Sequence, residues 1–192
     1  MPNNLNFKAR DLTIKLPETI KFVLGKLEKN GFSAYAVGGA VRDYILGNPA
    51  TDWDVTTSAL PDETEKVFSG FKVIKTGIKH GTVTVIVNGC PVEITTFRKE
   101  SGYTDNRHPD NVEFVSDLAE DLKRRDFTVN SLAYNEKEGL IDLYGGLSDL
   151  KNEIIRTVGD PRERFSEDAL RILRAVRFSS KLGFTIEEKT YA

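Results

Sequence analysis

Cysteine occurs once in the 192 residues, as Cys90, and histidine twice, as His80 and His108. One thiol cannot close an internal disulfide, and this set gives no zinc cluster, so any metal has to sit on carboxylates. A basic excess is also missing. Lys and Arg number 27 against 29 Asp and Glu, a net charge of −2, which excludes the wholesale electrostatic grip of a dedicated nucleic-acid binder. No stretch approaches the ~18 consecutive apolar residues of a membrane span. The first 11 residues carry no apolar run of signal-peptide type. The expectation is a soluble, cytoplasmic protein. G-x-G-x-x-G and G-x-x-x-x-G-K-[ST] are both absent, which removes the dinucleotide-binding and P-loop readings.

What is present is ordinary for a globular chain: 39% hydrophobic and 29% charged residues, with 15 glycines, enough for one domain or one and a fraction. Ile20, Val23, Leu24 and Leu27 fall at i, i+3, i+4 and i+7 between Pro17 and Gly31, so residues 17–30 read as an amphipathic helix. Residues 34–37 read as a short strand that ends at Gly38-Gly39 and turns into a helix over 40–46. Strands are expected over 52–57, 71–74, 82–87 and 91–97, with a helix from Pro61 to about Phe68. Asn88-Gly89 joins the last two strands as a hairpin. Residues 98–111 are polar and turn-rich and read as a mobile loop, followed by helices over 118–124 and, capped by Asp126, over 127–133. A helical tail is expected from near Phe165. Without strict βα alternation, the class is α+β, or mixed α/β, on one sheet.

Four features carry chemistry. Asp52 and Asp54 lie two apart on the expected strand, so both carboxylates leave one face while Trp53 and Val55 leave the other. Such a pair suits Mg²⁺, which takes one or two carboxylates together with substrate phosphates. An isolated pair is as readily a solvated strand end. Gly38-Gly39, between a strand and a helix with Arg42 in its first turn, can face an anion, or can simply be a tight turn beside a surface Arg42-Asp43 pair. Glu93 stands on a strand where a third carboxylate could join the two, or where it is merely exposed. Asp168, Arg171, Arg174 and Arg177 form one drifting stripe on a helix, beside Leu170, Leu173 and Val176. The stripe uses arginine only, although lysine is abundant elsewhere, and an arginine fork beside an aspartate can match the edge of a nucleobase. A solvated charged face explains the same spacing.

In order, Val37-Gly-Gly-Ala-Val-Arg-Asp43, Asp52-Trp-Asp54, Arg124-Arg-Asp-Phe-Thr-Val-Asn130, Gly159-Asp-Pro-Arg-Glu-Arg-Phe165 and Glu167-Asp-Ala-Leu-Arg171 resemble the class II, bacterial-type tRNA nucleotidyltransferases and their poly(A) polymerase relatives, within the DNA polymerase beta-like superfamily. The resemblance spans residues 35–178. It implies a polymerase-beta-like head over 1–158 followed by the start of a helical neck over 159–192. Asp52 and Asp54 would be Mg²⁺ ligands, and Glu93 a further catalytic carboxylate. Gly38, Gly39, Arg42 and Arg125 would face the incoming nucleotide. Asp168 and Arg171 would serve as a protein template for the Watson–Crick edge of CTP or ATP, with Arg174 and Arg177 nearby. The polar segment 98–111 resembles the flexible loop of enzymes that add the final A. The implied reaction is attack by the 3′-terminal hydroxyl of tRNA on the α-phosphate of CTP or ATP, with loss of pyrophosphate.

An A-adding enzyme or a poly(A) polymerase shares all these motifs. A non-catalytic nucleotide- or RNA-binding module would not need the carboxylate pair, and a small-molecule nucleotidyltransferase would not need the segment Glu167 to Arg171. Family members are considerably longer, with body and tail regions that hold most of the tRNA-binding surface. The resemblance therefore implies a catalytic head separated from its RNA-gripping parts, competent toward Mg²⁺ and nucleotide and poor at holding tRNA alone.

Overall fold

The computed structural model describes residues 12–192. Its frame is a seven-stranded sheet of order β3-β4-β5-β2-β1-β8-β9, built from β1 (Ala34–Val37), β2 (Asp54–Thr57), β3 (Lys72–Ile74), β4 (Thr82–Val87), β5 (Cys90–Thr96), β8 (Leu132–Asn135) and β9 (Gly139–Asp142). Every neighbouring pair is antiparallel except β2 and β5, which run parallel with Val55 opposite Ile94. The class is mixed α/β, as the sequence implies.

The pleat sorts the residues onto two faces. Ala36, Val55, Val83, Val85, Val92, Ile94 and Tyr134 enter the large core with Ile20, Val23, Leu24 and Leu27 of α1 (Glu18–Lys29) and Val41 and Ile45 of α2 (Gly39–Ile45). Tyr35, Val37 and Ala133 form a second, smaller cluster with Phe97 and with Leu122 of α4 (Leu118–Lys123). That second face is only partly covered. Between β2 and β3 the chain forms α3 (Pro61–Val67), with proline in its first turn and Glu63 accepting from the Leu60 N–H at 2.8 Å. Asn88 and Gly89, at φ 51° and 79°, make the primed turn that the β4–β5 hairpin requires.

Three expected segments differ. Residues 98–111 are not a structureless loop: β6 (Arg98–Ser101) pairs antiparallel with β7 (Asn111–Phe114) off the main sheet. The tip is tied by Asp110, which accepts from the Thr104 N–H and Oγ1, and by Asp105, which accepts from the Arg107 and His108 N–H groups. β6 is polar throughout, with Arg98 paired to Glu100 within the strand, and only Val112 and Phe114 of β7 alternate, too short a signal to announce the ribbon. Residues 127–133 are not a helix. Thr128 to Asn130 make a single 3₁₀ turn, and Leu132 then enters β8, because β-branched Thr128 and Val129 hold a helix poorly and Ala133 finds a partner in Val37. The tail begins earlier than Phe165, as α6 (Pro161–Glu167) capped by Asp160, and breaks at Asp168 before α7 (Leu170–Leu182). At the break the Asp168 carboxylate accepts from the Leu170 N–H at 3.0 Å, so the expected stripe is not one continuous helix face. Asp52 likewise precedes β2 instead of lying within it.

After β9 come α5 (Gly146–Asn152) and β10 (Ile154–Ile155), which pairs in parallel with β11 (Thr185–Ile186) and ties the end of the sheet unit to the strand following α7. α8 (Glu188–Tyr191) closes the described chain. Among the described residues no helix is long and apolar enough to cross a membrane.

Candidate active site

The open part of the second sheet face collects the chemistry. Val37 stands opposite Asp54 across β1 and β2, and the parallel register of β2 with β5 sets Asp54 beside Glu93. Trp53 and Val55 are buried in the large core, so the alternation expected of the pair holds even though β2 starts at Asp54. Asp54 is pushed up to about 6 by desolvation first, then by the Glu93 and Asp52 charges, with the Arg125 guanidinium opposing them. A carboxylate crowded by two others is what a cation would relieve. Among the described residues no three His, Cys, Asp or Glu side chains stand ready as a complete metal cage. That donor set fits a hard ion that takes its remaining oxygens from substrate and water.

β1 ends at Gly38, whose φ of 78° is left-handed and whose N–H is held by the Leu132 carbonyl at 3.1 Å. A side chain there would also press on Arg125, whose Nη1 lies 3.2 Å from the position a Cβ would take. Arg125 thus overhangs the glycine turn and is close enough to Asp54 to oppose the rise in its pKa.

Arg42 is not a surface group. It is 3% exposed, donates from Nε to Asp43 at 2.8 Å and from Nη1 to Asn130 Oδ1, and stacks on the Phe178 ring at 5.1 Å. Of the two open readings of the Arg42-Asp43 pair, the pairing is real but buried, and Arg42 underlies the turn, its Nη2 3.5 Å from a Cβ at Gly39.

The stripe from Asp168 divides. Arg171 is 6% exposed, and its guanidinium donates to Glu167 at 2.8 Å, to the Arg164 carbonyl at 3.1 Å and to the Arg124 carbonyl at 3.2 Å. Arg174 donates to Asp126 at 2.7 Å and lies over the same Phe178 ring, 5.1 Å from its centroid. Arg177 is exposed. Asp168 and Arg171 are brought together at the α6–α7 break, while Arg174 is spent on the sheet unit.

Sequence reasoning missed Asp121, Asn130 and Phe178 as site residues, and gave Asp126 only a helix-capping role. Asp126 accepts from the Phe127 N–H at 2.8 Å, from Asn130 Nδ2 at 3.1 Å and from Arg174, so the chain Asp43–Arg42–Asn130–Asp126–Arg174 runs unbroken from the glycine turn to α7. Asp126 and Asn130 lie inside the segment Arg124 to Asn130, and Asp121 precedes its two arginines by three and four residues, the helical spacing of ion pairs.

Comparison with known proteins gives three findings. The family described as Poly A polymerase head domain matches residues 34–156. The CCA-adding enzyme of Lactobacillus helveticus (strain DPC 4571) is 59% identical over 168 residues, which is 88% of this chain and 42% of that protein, and the CCA-adding enzyme of Levilactobacillus brevis is 56% identical over 180 residues, 92% of this chain and 45% of that protein. The chain therefore spans less than half the length of these curated relatives. Among solved structures, the Bacillus stearothermophilus CCA-adding enzyme in complex with CTP aligns with a TM-score of 0.83 at 45% identity, over 92% of this chain and 42% of that one. A tRNA nucleotidyltransferase complexed with a primer tRNA and an incoming ATP analog aligns with a TM-score of 0.70 at 35% identity, over 88% of this chain and 47% of that one.

Proposed function

The chain belongs to the poly(A) polymerase head-domain family, and from that premise we propose that it carries the nucleotidyl-transfer centre of a CCA-adding tRNA nucleotidyltransferase, with residues 1–158 as the head and 159–192 as the start of a neck. The observation that carries the reading is the grouping of Asp52, Asp54 and Glu93 on the open sheet face with Arg125 over the glycine turn. Substrates are CTP and ATP, and the acceptor is the 3′ end of tRNA, in the cytoplasm.

Asp52 and Asp54 would hold the divalent ion, Mg²⁺ in this reading, and Glu93 adds negative charge beside them. Such an ion supplies Lewis-acid stabilisation of charge developing on phosphate oxygens. Arg125 offers a phosphate or ribose the donors that the protein leaves unused. Gly38 and Gly39 let a triphosphate approach the backbone without a side chain in the way. Asp168, through the carboxylate oxygen not bound to Leu170, and Arg171, through its remaining N–H groups, would read the base edge. In-line positioning of hydroxyl and α-phosphate by these groups provides much of the acceleration, with little general-base chemistry required.

The test supplies tRNA lacking its 3′-terminal CCA, Mg²⁺, CTP and ATP, and counts the residues added. Addition of C, C and A, lost in Asp54→Ala at unchanged fold, supports the reading. Addition of A alone, or of a long A tract, makes the protein an A-adding enzyme or a poly(A) polymerase. Binding of nucleotide or RNA that neither needs Mg²⁺ nor leads to any addition makes it a non-catalytic binding module.

A further inference from the structure

Asp121 is wholly buried, at 0% exposure, yet four donors converge on its two oxygens. Oδ1 accepts from Arg124 Nε at 3.1 Å and Nη2 at 2.8 Å, and Oδ2 accepts from Arg125 Nη2 at 3.3 Å and, in competition with the Thr95 carbonyl at 3.1 Å, from Thr56 Oγ1 at 3.2 Å. Enclosed by three guanidinium N–H groups and that shared hydroxyl, the carboxylate has no position open to a ligand. No substrate atom can reach it, so whatever it does in the reaction it does through its partners.

Those partners are unequal. Arg124 is consumed: besides Asp121 it holds Glu100 of the β6–β7 ribbon at 3.2 Å, and its carbonyl receives Arg171. Arg125 has no protein acceptor but Asp121 among the described residues; its Nε is buried without a partner and its Nη1 overhangs Gly38. Thr56, the third partner, lies two residues along β2 from Asp54 and so on the same sheet face. One buried carboxylate therefore ties the strand that bears the carboxylate pair to the arginine that faces it.

We propose that Asp121 is the positioning residue of the nucleotide site: it fixes the plane and distance of the Arg125 guanidinium relative to Asp54, leaving Nη1, above the glycine turn, directed at an oxygen-rich ligand, the triphosphate or ribose of CTP or ATP. The inference rests on the proposed function. It predicts that Asp121 has no effect of its own once Arg125 is gone.

The experiment measures CTP and ATP affinity by titration calorimetry in Mg²⁺, with thermal melting alongside, for the full chain and for Asp121→Asn, Arg125→Ala and the double variant. By analogy with residues that orient metal ligands, Asp121→Asn should weaken nucleotide binding at least about tenfold. Arg125→Ala should do the same, and the double variant should bind no more weakly than Arg125→Ala. A merely structural Asp121 would lower affinity by the same factor in both backgrounds, and that multiplicative result overturns the inference, as does wild-type affinity in Asp121→Asn. Should Asp121→Asn fail to fold, Arg125→Lys keeps the charge and loses the clamped fork; a tenfold loss supports the inference and unchanged affinity overturns it. If the unsubstituted chain binds neither nucleotide in Mg²⁺, the proposed function falls and the inference with it; if it binds and the variants behave independently, only the inference falls.

Discussion

Replacing Phe178 with leucine isolates what an aromatic ring does where α7 meets the sheet unit. The ring meets Phe127 edge-on, with centroids 5.8 Å apart and planes at 80°, and lies 5.1 Å from the guanidinium carbons of both Arg42 and Arg174. Leucine keeps most of the apolar contact, so the hydrophobic part of the loss is small. What disappears is one aromatic pair, about 0.5–1.5 kcal/mol, and two cation–π contacts. Each of these contributes about 0.5–1 kcal/mol when exposed and about 2 kcal/mol when desolvated, the latter applying to buried Arg42. A total near 3–4.5 kcal/mol follows, and for a chain of this size that lowers Tm by roughly 6–18 °C. Melting followed by far-ultraviolet circular dichroism reads it directly. In an Arg174→Ala background the same substitution should cost less by about 0.5–1 kcal/mol, because one of the two contacts is already gone. A shift below 2 °C, or full additivity with Arg174→Ala, refutes the ring as the link between Arg42 and Arg174.

Gly146→Ala should destabilise by more than about 2 kcal/mol, since a Cβ would lie 2.4 Å from the Thr128 carbonyl oxygen, whereas Gly25→Ala, inside α1 with nothing within 4 Å, should stabilise by about 0.5–1 kcal/mol; equal melting temperatures would refute both. Asp54, at about 6 in the fold against 3.8 for the free side chain, binds its proton more tightly folded than unfolded. Its contribution is fully available below pH 4 and lost as pH rises through 6. Metal-free protein should therefore lose stability over that window, Asp54→Asn should abolish this part of the slope, and Mg²⁺ should raise Tm more at pH 7.5 than at pH 5; an unchanged slope in Asp54→Asn refutes the assignment. Arg171→Lys should melt within a few degrees of the unsubstituted protein but bind CTP and ATP without distinction in calorimetry, and retained preference would return Arg171 to a purely structural role.

Much of the frame was legible because its signals are local. β1 and β4 are short apolar runs closed by glycine, α1 shows its buried face at helical spacing, and Asn88-Gly89 can hardly be anything but a hairpin turn. The carboxylate pair was legible for the same reason, since a period of two fixes which residues share a face. The illegible parts depend on partners distant in sequence. Leu132 to Asn135 suit a helix as well as a strand until Val37 and Ala36 offer an edge to pair with. β6 is polar from Arg98 to Ser101 and so resembles a loop, and Val112 and Phe114 of its partner β7 are too short an alternation to reveal the ribbon alone. The break at Asp168 interrupts an otherwise regular stripe because a short acidic side chain can cap the next helix as easily as continue the last. The burial of Arg42, Asp121 and Arg171 could not be read at all, because charged residues are buried only where partners from other elements satisfy them.

That satisfaction explains why position 171 holds arginine and not lysine. Three protein acceptors meet its guanidinium: Glu167, the Arg164 carbonyl and the Arg124 carbonyl. They join α6, α7 and the end of α4, so they are needed whether or not a nucleotide is present. A lysine has three donors and would exhaust them on these acceptors; an arginine has five, and Nε–H with one Nη2–H is left over. Arg174 differs in the decisive respect, since its Nε and Nη2 edge is already closed on Asp126. Of the arginines on α7 that are fixed by the sheet unit, only Arg171 is both rigidly held and still equipped with a donor edge. Rigidity matters because an arginine already immobilised by the fold loses little further freedom on meeting a base, whereas exposed Arg177 would have to be ordered at that moment. The same three bonds that make Arg171 look like a structural residue are therefore what would let it discriminate one base edge from another.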